Sequence, residues 1–208
     1  MSSRILLLLP GLVLAWNPET GAEEPAAEAG APGSAIAFLQ AQDQAVREIL
    51  AASPSDSLSA EHRLLVKERI NLAFDFVELA RLSLGDHWEG RSEEERTEFV
   101  ETFRRIVEER NLDSFVRYYR EGGIEYRGEE TAGDRTTVEA TAPLRRERVP
   151  ITYLLHRVDG GWRIYDLAID GAGTAAGNRR QYARYIERHS FEKLLQRLKS
   201  QLEGLSAD

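Results

Sequence analysis

The hydrophobic repeat of this chain changes from helical to alternating at Gly122-Gly123 and back to helical after Gly171, and few layouts accommodate both changes in that order. Between the two points, apolar residues alternate as Ile124 and Tyr126, then Val138, Ala140 and Ala142, then Ile151, Tyr153 and Leu155, then Trp162, Ile164 and onward to Ile169. Ala132-Gly133-Asp134 and Asp159-Gly160-Gly161 interrupt the pattern with turn residues. A period of two punctuated in this way predicts an antiparallel meander of four strands. Helices first, a sheet next and helices last predict an α+β domain, with N-terminal helices packed on a curved four-stranded antiparallel sheet and C-terminal helices following it.

The N-terminal helices can be placed more closely. From Ser34, the residues Ile36, Leu39, Val46, Ile49 and Leu50 recur at helical spacing until Ser53-Pro54-Ser55. A second helix is predicted from about Ser59 to Leu84. Leu65, Leu72, Phe76 and Leu79 form one stripe on it and Ile70, Phe74 and Val77 a neighbouring one, a width that suggests contacts on two sides. Ser92-Glu93-Glu94-Glu95 is a capping-box sequence, so a third helix starts there and carries Phe99, Phe103, Ile106 and Val107 on one face, ending by Gly122-Gly123. After Gly171, Tyr182, Tyr185, Ile186, Leu194, Leu195 and Leu198 predict two helices broken near His189-Ser190.

The first residues bear on the compartment. Arg4 precedes an apolar stretch from Ile5 to Trp16, too short to span a bilayer and suited to a signal-peptide core, and Thr20-Gly21-Ala22 supplies small residues for cleavage. Residues 1–22 are therefore expected to be a cleaved leader and the chain to be exported. Residues 23–33 are Ala, Glu, Pro and Gly with no bulky apolar side chain, which predicts a disordered linker before a single domain over 34–208. The absence of Cys removes disulfides, thiolate nucleophiles and Cys-ligated zinc. A formal net charge of −8 offers no basic footprint for nucleic acid and no polybasic arm for an anionic membrane.

The candidate motifs give no catalytic group. Gly171-Ala172-Gly173-Thr174-Ala175-Ala176-Gly177 imitates a dinucleotide loop, but only a helical tail follows it and the strand before it alternates, so a turn entering a helix is the better reading. A weaker possibility is that the helix start receives an anion such as a lipid phosphate. His62, His87, His156 and His189 have no partners at ligand spacing, so no metal site is expected. Asp75, Asp166 and Asp170 lie near apolar segments, where a dry cavity would raise a carboxylate toward general-base range. Pairing of Asp75 and Asp170 with arginines such as Arg81 explains them more simply, and no Gly-x-Ser-x-Gly nucleophile elbow occurs.

Phe74-Asp75-Phe76, Ala80-Arg81 and Leu84-Gly85-Asp86-His87-Trp88, taken together, resemble the central helix and following turn of the MlaC or toluene-tolerance family of periplasmic phospholipid-binding proteins. Phe99 and Phe103 match the family's paired aromatics. Ile151-Thr152-Tyr153-Leu154-Leu155, Gly160-Gly161-Trp162-Arg163-Ile164-Tyr165-Asp166 and Asp170-Gly171 are similar to its sheet hairpin, and Phe191, Leu194 and Leu198 to its last helix. Gly171-Ala172-Gly173 and Asn178-Arg179-Arg180 depart from the family's usual Gly-Val-Ser and Asn-Tyr-Arg. The expected layout is similar to an NTF2-like cone.

The resemblance implies a non-enzymatic periplasmic carrier. Its only bound ligand would be a phospholipid, moved between an outer-membrane lipoprotein complex and an inner-membrane ABC transporter complex with transient membrane proximity. Alternation puts Ile151, Tyr153 and Leu155 on one sheet face, and the helices offer Phe76, Leu79, Phe103 and Val107. A subset of these is expected to line the lipid pocket, with Ala172 near its mouth, where the resemblance also puts a small apolar residue. The competing readings are an exported isomerase or hydrolase on an NTF2-like scaffold, with Asp75 or His87 as base, and an exported subunit whose apolar surface serves assembly alone.

Overall fold

A computed structural model of the chain describes residues 33–53, 58–144 and 147–207. The expected leader over 1–22 and the linker over 23–33 lie outside the described residues, Gly33 excepted. In chain order the elements are α1 (Ala35–Ala51), α2 (Ala60–Ala73), α3 (Phe76–Leu84), a short 3₁₀ turn (Gly85–His87) and α4 (Glu93–Arg120). Five strands follow, β1 (Glu125–Ala132), β2 (Arg135–Leu144), β3 (Glu147–Val158), β4 (Gly161–Ile169) and β5 (Ala172–Gly173), and then α5 (Thr174–Arg188) and α6 (Phe191–Ala207).

Local chemistry sets the helix ends. The Ser34 hydroxyl accepts from Ala37 N–H at the start of α1, and the carboxylate of Glu129 on β1 accepts from Ile36 N–H at 2.8 Å, fixing α1 to the sheet edge. At α4 the capping box is complete: Ser92 Oγ accepts from Glu95 N–H at 3.2 Å and Glu95 accepts from Ser92 N–H at 2.9 Å. The helix closes with Gly123 N–H donating to Tyr118 C=O at 2.8 Å over a left-handed Gly122. Gly123 itself lies at positive φ, which favours glycine, and a Cβ there would oblige the flexible end of the Arg47 side chain to move aside.

The one helix expected from Ser59 to Leu84 is two, a correction with a clear cause. Phe74 is extended, and Asp75 N–H donates to Ile164 C=O at 2.8 Å, so the chain leaves α2 to form a bridge with β4. Asp75 Oδ1 then accepts from Glu78 N–H at 2.9 Å and caps α3. Phe76 and Leu79 of α3 are buried, but Leu65, Leu72 and Val77, counted in the same expected stripes, are exposed, so the spacing that runs through the break does not mark one continuous buried face and hides the joint from a count of spacings.

The sheet is an antiparallel meander in the order β1-β2-β3-β4-β5 and is not closed. It has five strands where four are expected, because Asp170 and Gly171, both at positive φ, turn the chain tightly enough for Ala172 and Gly173 to pair with Ile169 and Ala168. Asp159 and Gly160 make the same left-handed pair in the β3–β4 hairpin. Bulges between Tyr126 and Gly128 in β1 and opposite Leu154/Leu155 in β4 bend the sheet. The second keeps Ile164 and Leu167 on one face although they are three residues apart. The outer edge of β4 is shielded along its length, by Phe74-Asp75 at one end and by β5 at the other.

Among the described residues, buried apolar side chains form three clusters. The first covers one face of the sheet, with Val138, Ala140, Ile151, Tyr153, Leu155 and Ile164 packed against α1 and α4. The second joins α3, the first half of α4, α5 and α6 around Phe99. The third, with Val46, Leu50, Val66, Leu112 and Val116, ties α1 and α2 to the second half of α4.

Candidate functional site

A small cavity of about 40 Å³ lies on the seam between the first and third clusters, enclosed by α1, α2, α4 and the sheet. Each helix contributes a single face to it. Leu39, Gln42, Asp43 and Val46 of α1 and Val66, Arg69, Ile70 and Ala73 of α2 share the spacing i, i+3, i+4, i+7, and Phe115 and Tyr119 of α4 are one turn apart. Tyr153 of β3 and Ile164 of β4 form the sheet wall, and Phe74, held extended by the bridge to β4, closes the corner. The lining is mainly apolar, with few polar groups, as in small-molecule sites generally.

One of those polar groups is a buried carboxylate. Asp43 is 8% exposed and accepts from the phenolic hydroxyls of Tyr119 at 2.5 Å and Tyr126 at 2.6 Å. Burial pushes its carboxyl above the usual carboxylate range, against the two hydroxyl donors and the nearby Arg47 guanidinium, which favour the charged form. The tyrosines move the same way: burial and the Asp43 charge raise Tyr119, and burial with Tyr153 and Asp43 close by raises Tyr126. All these hydroxyls stay protonated and donate. The network pins α1 to α4 and β1 across the cavity floor.

The residues expected to line a pocket fall into two groups. Ile151, Tyr153 and Leu155 alternate inward on β3 as expected and are buried in the sheet cluster, and of the three Tyr153 lines the cavity. Phe76, Leu79 and Phe103 are buried in the helical cluster around Phe99, and Val107 packs against it. Phe74, partly buried, packs against both clusters and stacks on Phe76 at 5.4 Å. Ala172 is exposed on β5. Periodicity put Leu39, Ile70, Phe115 and Tyr119 on apolar helix faces without marking them as lining, and the expected lining also left out Asp43 and Val66. Asp43 carried a usable signal, since it falls on the apolar stripe of Leu39, Val46 and Leu50.

Other candidate groups have structural work to do. Asp166 Oδ1 accepts from Leu167 N–H at 2.8 Å and from Ala175 N–H at 3.1 Å, so the first turn of α5 already holds a carboxylate where an external anion was considered. Asp75 pairs with His156 at 3.0 Å, not with Arg81, whose guanidinium grips Glu78. Among the described residues, no group of three or more His, Cys, Asp or Glu side chains could hold a metal ion. A broader, more open surface groove of about 1,200 Å³ between α4 and α6 is lined by charged side chains of both signs, among them Glu98, Glu101, Arg105 and Lys199, with Leu202 as its one large apolar side chain.

Comparison with known proteins bears on the family and the fold. The family described as MlaC protein matches residues 40–200. A solved structure of a phospholipid-binding protein from Ralstonia solanacearum, in complex with a phospholipid, superimposes with a TM-score of 0.70. It is 20% identical, and the match covers 82% of this chain and 97% of that one. Comparison with curated proteins gives no match.

Proposed function

We propose, from the premise that this chain belongs to the MlaC family, that it is a periplasmic phospholipid carrier without catalytic activity. The observation that carries the proposal is the apolar cavity on the seam between the sheet face and the α1–α2 pair. At about 40 Å³ it falls well short of the roughly 300–1,000 Å³ of a typical ligand pocket. It therefore marks where acyl chains insert as α1 and α2 move off the sheet, rather than a finished pocket. The weak attachment of α2 supports this route: among its residues only Val66 and Ala73 are buried, while Leu64 and Leu72 are more than half exposed. As the seam widens, Ile151 and Leu155 join Tyr153 in the wall.

The energetics ask for such a device. One acyl chain of about 15 methylenes carries roughly 12 kcal/mol of transfer energy at about 0.8 per CH₂, so free lipid crosses water extremely slowly. Protein and bilayer bury nearly the same chain surface, which leaves the exchange near balance, and its direction must come from partners. Those partners are an outer-membrane lipoprotein complex and an inner-membrane ABC transporter complex. The net charge of −8 suits docking on proteins better than adsorption to anionic lipid. The proposal is tested by mass spectrometry of the gently purified mature protein. Co-purifying phospholipid is expected; protein that carries none and takes none from phospholipid vesicles would overturn it.

A further inference from the structure

Arg69 is out of keeping with the other cations of α2. Arg63 pairs with Asp113 at 3.0 Å and Lys67 with Glu109 at 2.5 Å, both reaching across to α4. Arg69, half-buried, lines the cavity and has no hydrogen bond or ion pair among the described residues. A guanidinium is charged at every accessible pH and offers five donors in a planar fork, and Arg69, only part-buried at the cavity lining, has that fork free to meet an anion at the cavity rim. The cavity's one carboxylate does not serve, because both Asp43 oxygens accept from tyrosines and its neighbouring cation is Arg47. Oε1 of Gln42, in the same lining, is buried and has no hydrogen-bond partner among the described residues. An unmet donor fork and an unmet acceptor thus line one mainly apolar cavity.

We infer that Arg69 is the phosphate-binding residue of this site, holding the phosphodiester of a lipid whose chains enter the cavity, with Gln42 accepting from a hydroxyl or ammonium of the headgroup. The inference rests on the phospholipid-carrier reading and adds to it the side chain that distinguishes a phospholipid from other two-chain lipids. Two non-bridging oxygens of a phosphodiester match the guanidinium fork, and as α2 moves outward Arg69 travels with it, staying at the rim while the chains go deeper.

The test uses delipidated protein and labelled dipalmitoyl phosphatidylglycerol, dipalmitoylglycerol and palmitate, each presented in non-ionic detergent micelles. Arg69→Gln is expected to weaken phosphatidylglycerol binding about tenfold or more, the loss of a charge-assisted pair, and to leave dipalmitoylglycerol binding unchanged. Arg69→Lys keeps the charge without the fork and should fall between. Arg63→Gln makes the same change in net charge away from the cavity and should behave as wild type. Melting curves of the Arg69 variants should coincide with wild type, because Arg69 has no hydrogen bond or ion pair among the described residues. Unchanged phosphatidylglycerol binding in Arg69→Gln, equal losses for both two-chain lipids, or a loss confined to palmitate would each overturn the assignment. Wild-type protein that binds neither two-chain lipid would instead remove the carrier reading beneath it.

Discussion

Around Phe99, the rings of Phe103, Tyr182 and Phe191 pack with centroids 5.7–6.0 Å apart, in stacked, edge-on and tilted pairs. Around Tyr153, at the other end of α4, three helices and a sheet meet with about 40 Å³ left between them and a carboxylate in the wall. Both regions bury aromatic and aliphatic side chains of similar kinds. What differs is closure: the helical cluster is filled by rings from α4, α5 and α6, whereas the sheet end is covered by α2, which buries little of its own surface. The carrier role proposed above asks for one end that fixes the fold and another that yields, and α4 runs through both.

Phe99→Ala should have the largest effect. It removes a fully buried ring from the centre of the helical cluster and is expected to cost about 3–5 kcal/mol, read from denaturant melts of delipidated protein. Lipid content per folded molecule should not change. Lost lipid at retained stability would shift the pocket toward Phe76, Leu79, Phe103 and Val107 and dissolve the contrast between the two ends.

Asp75→Ala comes next, because it acts at the joint between the regions. It removes the α3 cap and the partner of His156, for an expected loss of about 1–2 kcal/mol, while Asp75→Asn should keep most of the cap. Lipid exchange between vesicles should persist in both variants. Turnover of a bound lipid by wild type, abolished by Asp75→Asn, would restore the enzyme reading.

These residues also show how far the sequence carries. The α4 start was legible because a capping box is local: Ser92 and Glu95 meet within one turn. The β3 wall was legible because alternation is local too. The Phe74-Asp75 joint was not, since its decisive bond goes to Ile164, although Asp75 followed by Glu78 three residues on is itself a cap signature. Asp43 was visible as a misplaced acid on an apolar stripe. Its partners, 76 and 83 residues away, were not. The cavity itself depends on how α1 and α2 lean against the sheet, a rigid-body property with no period in the chain.

The smallest expected effect is a drift with pH at the yielding end, and it isolates the Asp43 network. Burial raises the Asp43 carboxyl above its ordinary 3.8, so between that value and the raised one the folded protein keeps a proton that the unfolded chain has released. Stability falls with rising pH wherever the folded state binds the extra proton, so Asp43 contributes most below pH 3.8 and loses that contribution as pH climbs through its folded pKa. Asp43→Asn has no such proton, yet its amide can still meet the hydroxyls of Tyr119 and Tyr126. The Tm of Asp43→Asn relative to wild type should therefore rise across the window that opens at pH 3.8 and level off above it. Common titrations elsewhere cancel in the difference. Phe99→Ala, carried through the same series, should track wild type at a constant offset, because the phenol that packs on Phe99, Tyr182, is pushed by burial up to about 12 and stays protonated throughout. A difference for Asp43→Asn that stayed flat with pH would mean that Asp43 titrates alike in folded and unfolded chains, and the cavity floor would be wetter than its burial implies.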